Sequence, residues 1–318
     1  MGKLVDGQWT TQWYEPDAKG RFVREQTKFS DRVTRDGSSG FPAESGRYHL
    51  YVSLACPWAH RTILMRKLKG LEDAVSLDVV HPHMGENGWE FREFRGATPD
   101  SVNGFSYLHQ VYTRAKPDYT GRVTVPVLWD KRRQTIVCND SRSVMRMLDH
   151  EFVEFATRSV DLCPPELQTS VDAEIDALYA PVNDGVYRAG FASSQEAYEE
   201  AARKLFEALD RYEERLSSSR FLLGPQLTEA DLCFFTTLYR FDPIYHYHFK
   251  CNLRKVADYT HISGFLRDVY QTPHVADTCD IEHAKHHYFT SHPQLNPKRI
   301  VPVGPETTWD APHDRHRL

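Results

Sequence analysis

Between Tyr48 and Leu71 the chain changes its hydrophobic period at one dipeptide, Cys56-Pro57, and that change restricts the folds open to it. Tyr48-His49-Leu50-Tyr51-Val52 reads as a short strand. From Pro57 onward, Leu64, Leu68 and Leu71 recur at i, i+4 and i+7, the spacing of one helix face. Proline suits the first helical position, where its missing N–H removes a donor with no intrahelical partner. Cys56 therefore falls at a strand-to-helix turn, at the positive end of the helix. Unpaired backbone N–H groups there favour thiolate over thiol. Position 59, where a Cys-x-x-Cys motif would carry its second sulfur, is alanine. Redox chemistry at Cys56 would therefore draw its resolving thiol from another molecule. A cysteine is more often a small buried apolar residue, and on the turn alone both readings stay open.

The flanking pattern extends the first reading. Residues 74–80 form a second strand, and residues 124–130 and 134–137 form two more around the charged turn Lys131-Arg132-Arg133. Asn139-Asp140-Ser141 then caps a helix through Leu148. Residues 81–121, with glycines, prolines and aromatics but little periodicity, read as a long loop of the kind that tends to be functional. The order strand, helix, strand, loop, strand, strand, helix is that of thioredoxin, a βαβ half followed by a ββα half. After Cys163-Pro164-Pro165 the pattern turns helical, over residues 165–182 and 194–216. Thr228 and Asp231 have capping-box spacing at the start of a further helix, with Leu227 and Leu232 placed as its hydrophobic staple.

The fold class expected is α/β plus all-α, a thioredoxin-like N-terminal domain followed by a helical-bundle C-terminal domain. The expected divisions are an extended arm over 1–47, the thioredoxin-like domain over 48–160, the helical domain over 161–290 and a Pro-rich tail over 291–318. The arm is polar, and its Trp9, Trp13, Phe22, Phe29 and Phe41 are expected to anchor on other parts of the protein.

A net charge of −5 and a pI near 6.3 argue against binding nucleic acid or anionic membranes non-specifically. No run of 18 apolar residues is present for a membrane span, and residues 1–6 carry no apolar signal core. Six widely spaced cysteines without a Cys-x-x-Cys pair suit a reducing compartment. The expected location is the cytoplasm.

Several blocks go beyond a thioredoxin-plus-helices pattern. They are Ser53-Leu54-Ala55-Cys56-Pro57-Trp58-Ala59-His60-Arg61, Asn87-Gly88-Trp89, Val125 through Asp130, and Asp184-Gly185-Val186-Tyr187-Arg188-Ala189-Gly190-Phe191-Ala192. With them stand Arg240-Phe241-Asp242, His248-Phe249-Lys250-Cys251-Asn252, His287-Tyr288, Ser291-His292-Pro293 and Asn296-Pro297. Over residues from about 45 to 305 the chain resembles the glutathionyl-hydroquinone reductases, the Xi class of glutathione transferases.

The resemblance implies a glutathione-dependent reductase of quinone metabolism, with Cys56 as nucleophile. Cys56 would attack the sulfur that joins glutathione to a hydroquinone ring, forming a Cys56–glutathione disulfide. The ring would leave with the bonding electrons and take a proton. A second glutathione would resolve the disulfide. Tyr187 and Tyr288 are the implied proton donors, picked by the resemblance from sixteen tyrosines that would otherwise be assigned to packing. Where the family has a second tyrosine after Tyr288, this chain has Phe289.

Glutathione would be held by Trp89, Arg122, Val125, Asp140 and Ser141. Val125-Pro126 stands where thioredoxin-like folds place a cis proline, whose preceding backbone pairs with the cysteinyl part of the tripeptide. Asp140 and Ser141 open a helix suited to the γ-glutamyl group, although plain capping explains them equally, and the family more often has Glu at 140. Trp89 would cover the tripeptide and Arg122 would meet its glycyl carboxylate. Tyr245 and His287 are weaker pocket candidates. Tyr239, Phe241, Tyr245 and Tyr247 could line a flat pocket or simply pack. His283, His286 and His287 have helical spacing without Cys or carboxylate support, and no metal is expected. A homodimer is expected by the same resemblance.

The alternatives are an omega-like glutathione thiol transferase or dehydroascorbate reductase, which uses the same cysteine, and a non-enzymatic binding protein of transferase fold. An ordinary conjugating transferase would want Ser or Tyr in place of Cys56.

Overall fold

The computed structural model describes residues 2–318. The chain divides into two compact units. One comprises residues 1–13, 25–160 and 278–301, and the other comprises 14–24, 161–277 and 302–318.

The first unit is built on a four-stranded sheet of order β4-β3-β6-β7. Strands β3 (Tyr48–Val52) and β4 (Val75–Val79) run parallel, joined by helix α1 (Pro57–Leu68). Strands β6 (Val127–Asp130) and β7 (Thr135–Cys138) are antiparallel to their neighbours. All five residues of β3 are buried, as in a strand covered on both faces. That is why its sequence is a continuous run and not an alternation. Helix α3 (Ser141–His150) packs against α1.

The segment over 81–121 is not loop throughout. It holds helix α2 (Leu108–Ala115), with Leu108, Val111 and Tyr112 buried at i, i+3 and i+4. Gln110 reaches back to accept from the backbone N–H groups of Ser106 and Tyr107. With α2 in place the order is βαβαββα, the complete thioredoxin succession.

Two further departures concern the ends. The arm begins with a hairpin, β1 (Lys3–Val5) and β2 (Gln8–Thr10), paired with β5 (Gly121–Arg122) in a second sheet. Its turn is Asp6-Gly7, both at positive φ, the type I′ arrangement that suits strand twist. Helix α10 (Ile281–Ser291), expected in the helical domain, belongs to the first unit. The cause is its bonding: Met84 N–H donates to Ser291 Oγ at 2.9 Å, and His83 Nδ1 shares a hydrogen bond with Thr290 Oγ1 at 2.9 Å.

The second unit contains α4 (Gln168–Leu178), α5 (Gly185–Gly190), α6 (Gln195–Leu216), α7 (Glu229–Arg240), α8 (His246–His248) and α9 (Thr260–Gln271). Wider π turns over Tyr179–Asn183 and Phe241–Tyr245 interrupt the helices. Every residue of α7 is buried. Its start is closed by Asp231, which accepts from Thr228 N–H at 2.8 Å, from the Thr228 hydroxyl at 2.7 Å and from Leu222 N–H at 2.8 Å. The C-terminal residues are tied in as well: the Arg315 guanidinium donates to the carbonyls of Leu216, Ser219 and Arg220, and Trp309 packs 4.4 Å from the Tyr239 ring.

The helical blocks of the sequence meet at one point. A Cβ on Gly190 would lie 2.2 Å from the Phe249 ring, so only glycine lets α5 approach that ring. Phe249 also packs on Phe191 at 4.9 Å and on Tyr187 at 5.4 Å.

Candidate active site

Cys56 is the residue before α1, in extended conformation, with Pro57 at the first helical position. Its own N–H donates to the Ser53 carbonyl and its carbonyl accepts from His60 N–H, which fixes the backbone on both sides. The thiol is half-buried. It is directed at the Val125 carbonyl, 3.7 Å from Sγ, and not at its own helix. The Val125-Pro126 bond is cis. Sheet and helix thus bring together two of the residues singled out in the sequence, Cys56 and Val125.

The other cysteines differ in setting. Cys138, Cys163, Cys233 and Cys251 are buried. Burial pushes the Cys138 thiol up to about 12 and raises that of Cys251 as well, so both stay protonated. Cys279 is half-buried, 3.9 Å from His60 Nε2, which also bonds Thr278 Oγ1.

At α3, Asp140 is the N-cap, and its Oδ1 accepts from Ser143 N–H at 2.8 Å. Ser141 is the first residue of that helix and is buried. Trp89 is buried and stacks on His287, centroids 4.8 Å apart. His287 Nδ1–H donates to the Pro82 carbonyl at 2.7 Å. A carbonyl only accepts, so this bond sets the tautomer. Tyr288 is buried between His287 and His292, its ring edge-on to both.

Arg122 occupies itself differently from the sequence expectation of a glycyl carboxylate. Its guanidinium donates to Glu25 at 3.0 Å and to the carbonyls of Gln12 and Trp13 at 2.5 and 2.9 Å. It holds the arm at the two places where residues 14–24 depart from the first unit and rejoin it.

Sequence reasoning missed the imidazoles facing α10. Phe94 packs on His81 at 4.9 Å and on His286 at 4.8 Å. Burial and then Arg92 push His81 down to about 4. Burial likewise lowers His83 and His286. The histidines of the sequence cluster do not converge: His283 and His286 pack on Phe94 while His287 turns to Pro82.

In the second unit Tyr187 lies on α5 with 9% of its surface exposed. Tyr245 is buried and stacks flat on Phe249 at 5.5 Å. Tyr239 and Phe241 are buried too, whereas Tyr247 is 74% exposed. A further group was not singled out in the sequence. Arg24 of the arm donates to Asp184 at 2.8 Å and lies over the Tyr187 ring, 4.9 Å from its centroid. Its pairing joins residues far apart in sequence, and nothing local signals it.

Comparison with known proteins adds to this geometry. The family profile "Glutathione S-transferase, N-terminal domain" matches residues 55–151, and "Glutathione S-transferase, C-terminal domain" matches residues 195–268. The chain is 50% identical to the glutathionyl-hydroquinone reductase YqjG of Escherichia coli K12, over 99% of this chain and 98% of that one. It superimposes on a Xi-class transferase from Natrialba magadii with a TM-score of 0.95 and 50% identity, covering 100% of this chain and 97% of the other. On the glutathione-bound structure of E. coli YqjG the TM-score is 0.92 at 48% identity, covering 99% of each chain.

Proposed function

We propose the chemistry of this site from one premise: the chain belongs to the glutathionyl-hydroquinone reductases, the Xi class of the glutathione transferases. It is an enzyme that uses glutathione to strip glutathione reductively from glutathionyl-hydroquinones. The products are the free hydroquinone and glutathione disulfide.

The placement of Cys56 carries the mechanism. Its thiolate attacks the substrate sulfur, forming an S–S bond as the carbon–sulfur bond breaks. The bonding pair stays on the ring carbon, which takes a proton and becomes C–H. With Ala59 one turn along, no local thiol completes the cycle, so a second glutathione attacks the mixed disulfide and leaves as glutathione disulfide.

We assign the proton to Tyr187 or Tyr288, a positioned acid of this kind being worth about 10²–10⁴-fold. The Val125 backbone, facing Cys56 Sγ, is the contact we assign to the cysteinyl part of glutathione. Asp140 and Ser141 at the head of α3 take the γ-glutamyl end, and Trp89 covers the tripeptide. Arg122, which also grips residues 12, 13 and 25, is the cation we assign to its glycyl carboxylate. We expect a homodimer.

We place the enzyme in the cytoplasm, a reading supported by six free thiols. Among the described residues no helix is long and apolar enough to cross a membrane.

The deciding measurement is glutathione disulfide formed from a glutathionyl-hydroquinone plus glutathione, native against Cys56→Ala. Turnover by the native protein that disappears in the variant supports the assignment. Absent turnover, with good activity on a small glutathione mixed disulfide, would make the protein a general thiol transferase.

A further inference from the structure

The N-terminal arm brings a half-buried cation to one of the two candidate acids. Arg24 lies between two rings, 4.9 Å from the Tyr187 centroid and 5.4 Å from that of Phe22. Its Nε–H donates to Asp184 Oδ1 at 2.8 Å, while Asp184 Oδ2 accepts from Arg188 Nε–H, also at 2.8 Å. One carboxylate is thus shared by two guanidinium groups, and the trio keeps a net positive charge beside the phenol. Asp184 is 2% exposed and Tyr187 is 9% exposed, whereas the Arg24 side chain is half-buried and that of Arg188 exposed, so the Arg24 charge is the one held against the phenol with partial screening by water.

Tyr187 also packs against Tyr245 at 6.0 Å, Phe191 at 6.1 Å and Phe249 at 5.4 Å. Among these only the Tyr245 phenol titrates. Burial alone would weaken the charge on Arg24, but Asp184 beside it more than offsets that.

We propose that Arg24 is a positioning residue for proton delivery: clamped by Asp184, its guanidinium steadies the Tyr187 ring and makes that phenol the stronger acid. A guanidinium against the ring face is attracted to it, and a nearby cation stabilises the phenolate left once the proton has gone. The arm then belongs to the catalytic apparatus, since it supplies the charge that tunes the acid. The inference rests on the reading of Tyr187 as a proton donor.

The test is hydroquinone release from a glutathionyl-hydroquinone in a single turnover, with enzyme in excess and no free glutathione, between about pH 6 and 10. Omitting glutathione removes the resolving step and its own titration. Arg24→Gln is expected to slow release roughly tenfold and to move the alkaline limb up by about one pH unit. Tyrosinate absorbance, read as the difference between each protein and its Tyr187→Phe counterpart, is expected to move equally. Arg24→Lys keeps the charge without the flat stack and is expected to leave the limb near its native position.

A slower Arg24→Gln with unmoved limb and unmoved tyrosinate titration would overturn the proposal, leaving Arg24 a packing residue. Should Arg24→Gln not fold, Arg24→Lys decides: a limb displaced by a full unit despite the retained charge overturns it. An unchanged single-turnover rate in Tyr187→Phe would instead remove Tyr187 as the acid, and the tyrosinate titration would still report whether Arg24 governs that phenol.

Discussion

The helix starting after Cys56 and the helix starting after Thr228 solve the same problem in opposite ways. Each leaves backbone N–H groups without intrahelical partners. At α7 the first helical N–H, of Glu229, donates to the Leu162 carbonyl, and the Asp231 carboxylate locks the approach by accepting from Leu222 N–H, Thr228 N–H and the Thr228 hydroxyl. At α1 the proline deletes one donor, and the Cys56 side chain faces the Val125 carbonyl across the sheet. One start is spent entirely on holding the fold. The other keeps its sulfur half-buried and directed away from its helix, at the end of the dipole that favours negative charge. On the proposed mechanism, stability and chemistry fall to different helix ends.

Making the first start resemble the second should separate the two roles most sharply. Cys56→Ser supplies a capping hydroxyl and removes the nucleophile. Turnover should fall by on the order of 10³-fold or more, while thermal denaturation shows stability unchanged or raised by up to about 1 kcal/mol. A variant that kept substantial turnover would break the comparison at its centre.

Opening the second start should do the reverse. Asp231→Ala leaves the buried N–H groups of Leu222 and Thr228 unpaired, and denaturant titration should show a loss of roughly 2–4 kcal/mol. Turnover per folded molecule should stay close to native.

Acidity distinguishes the ends as well. Burial raises the Asp231 carboxyl from 3.8 to about 6. The folded chain therefore binds that proton more tightly than the unfolded chain does. The associated stability is present in full below about pH 4 and is lost as pH rises through about 6. Relative to Asp231→Asn, the native protein should lose up to about 3 kcal/mol across that window, as read by denaturant melts at each pH.

The smallest effect belongs to the intermediate case. At α3, Asp140 both caps Ser143 and is assigned to glutathione. Asp140→Glu should weaken the cap by about 0.5 kcal/mol and lower the KM for glutathione a few-fold, as steady-state kinetics would show.

How much of this was legible follows from range. The Cys56-Pro57 turn and the Thr228–Asp231 box are local, and the residues involved announce them. Asp6-Gly7 was also legible, a hairpin signal inside a segment read as extended arm. Helix α2 went unread because eight residues with three apolar positions disappear among glycines and prolines. The membership of α10 depends on bonds from residues 83 and 84 to residues 290 and 291, and no periodicity encodes those. Of the candidate site, Cys56 was placed by turn and strand logic and Val125 by analogy with thioredoxin-like folds. Tyr187 and Tyr288 came from whole motifs, and Arg24 and the arm grip of Arg122 exist only in three dimensions.

The seat of Phe249 on Gly190 carries a lesson for protein engineering. Since a methyl group on Gly190 would intrude on that ring, the two sequence blocks form a single cassette. A library that diversifies the 248–252 segment alone will be filtered by the unchanged glycine opposite it. Transplanting one block into another scaffold should fail unless its counterpart travels with it.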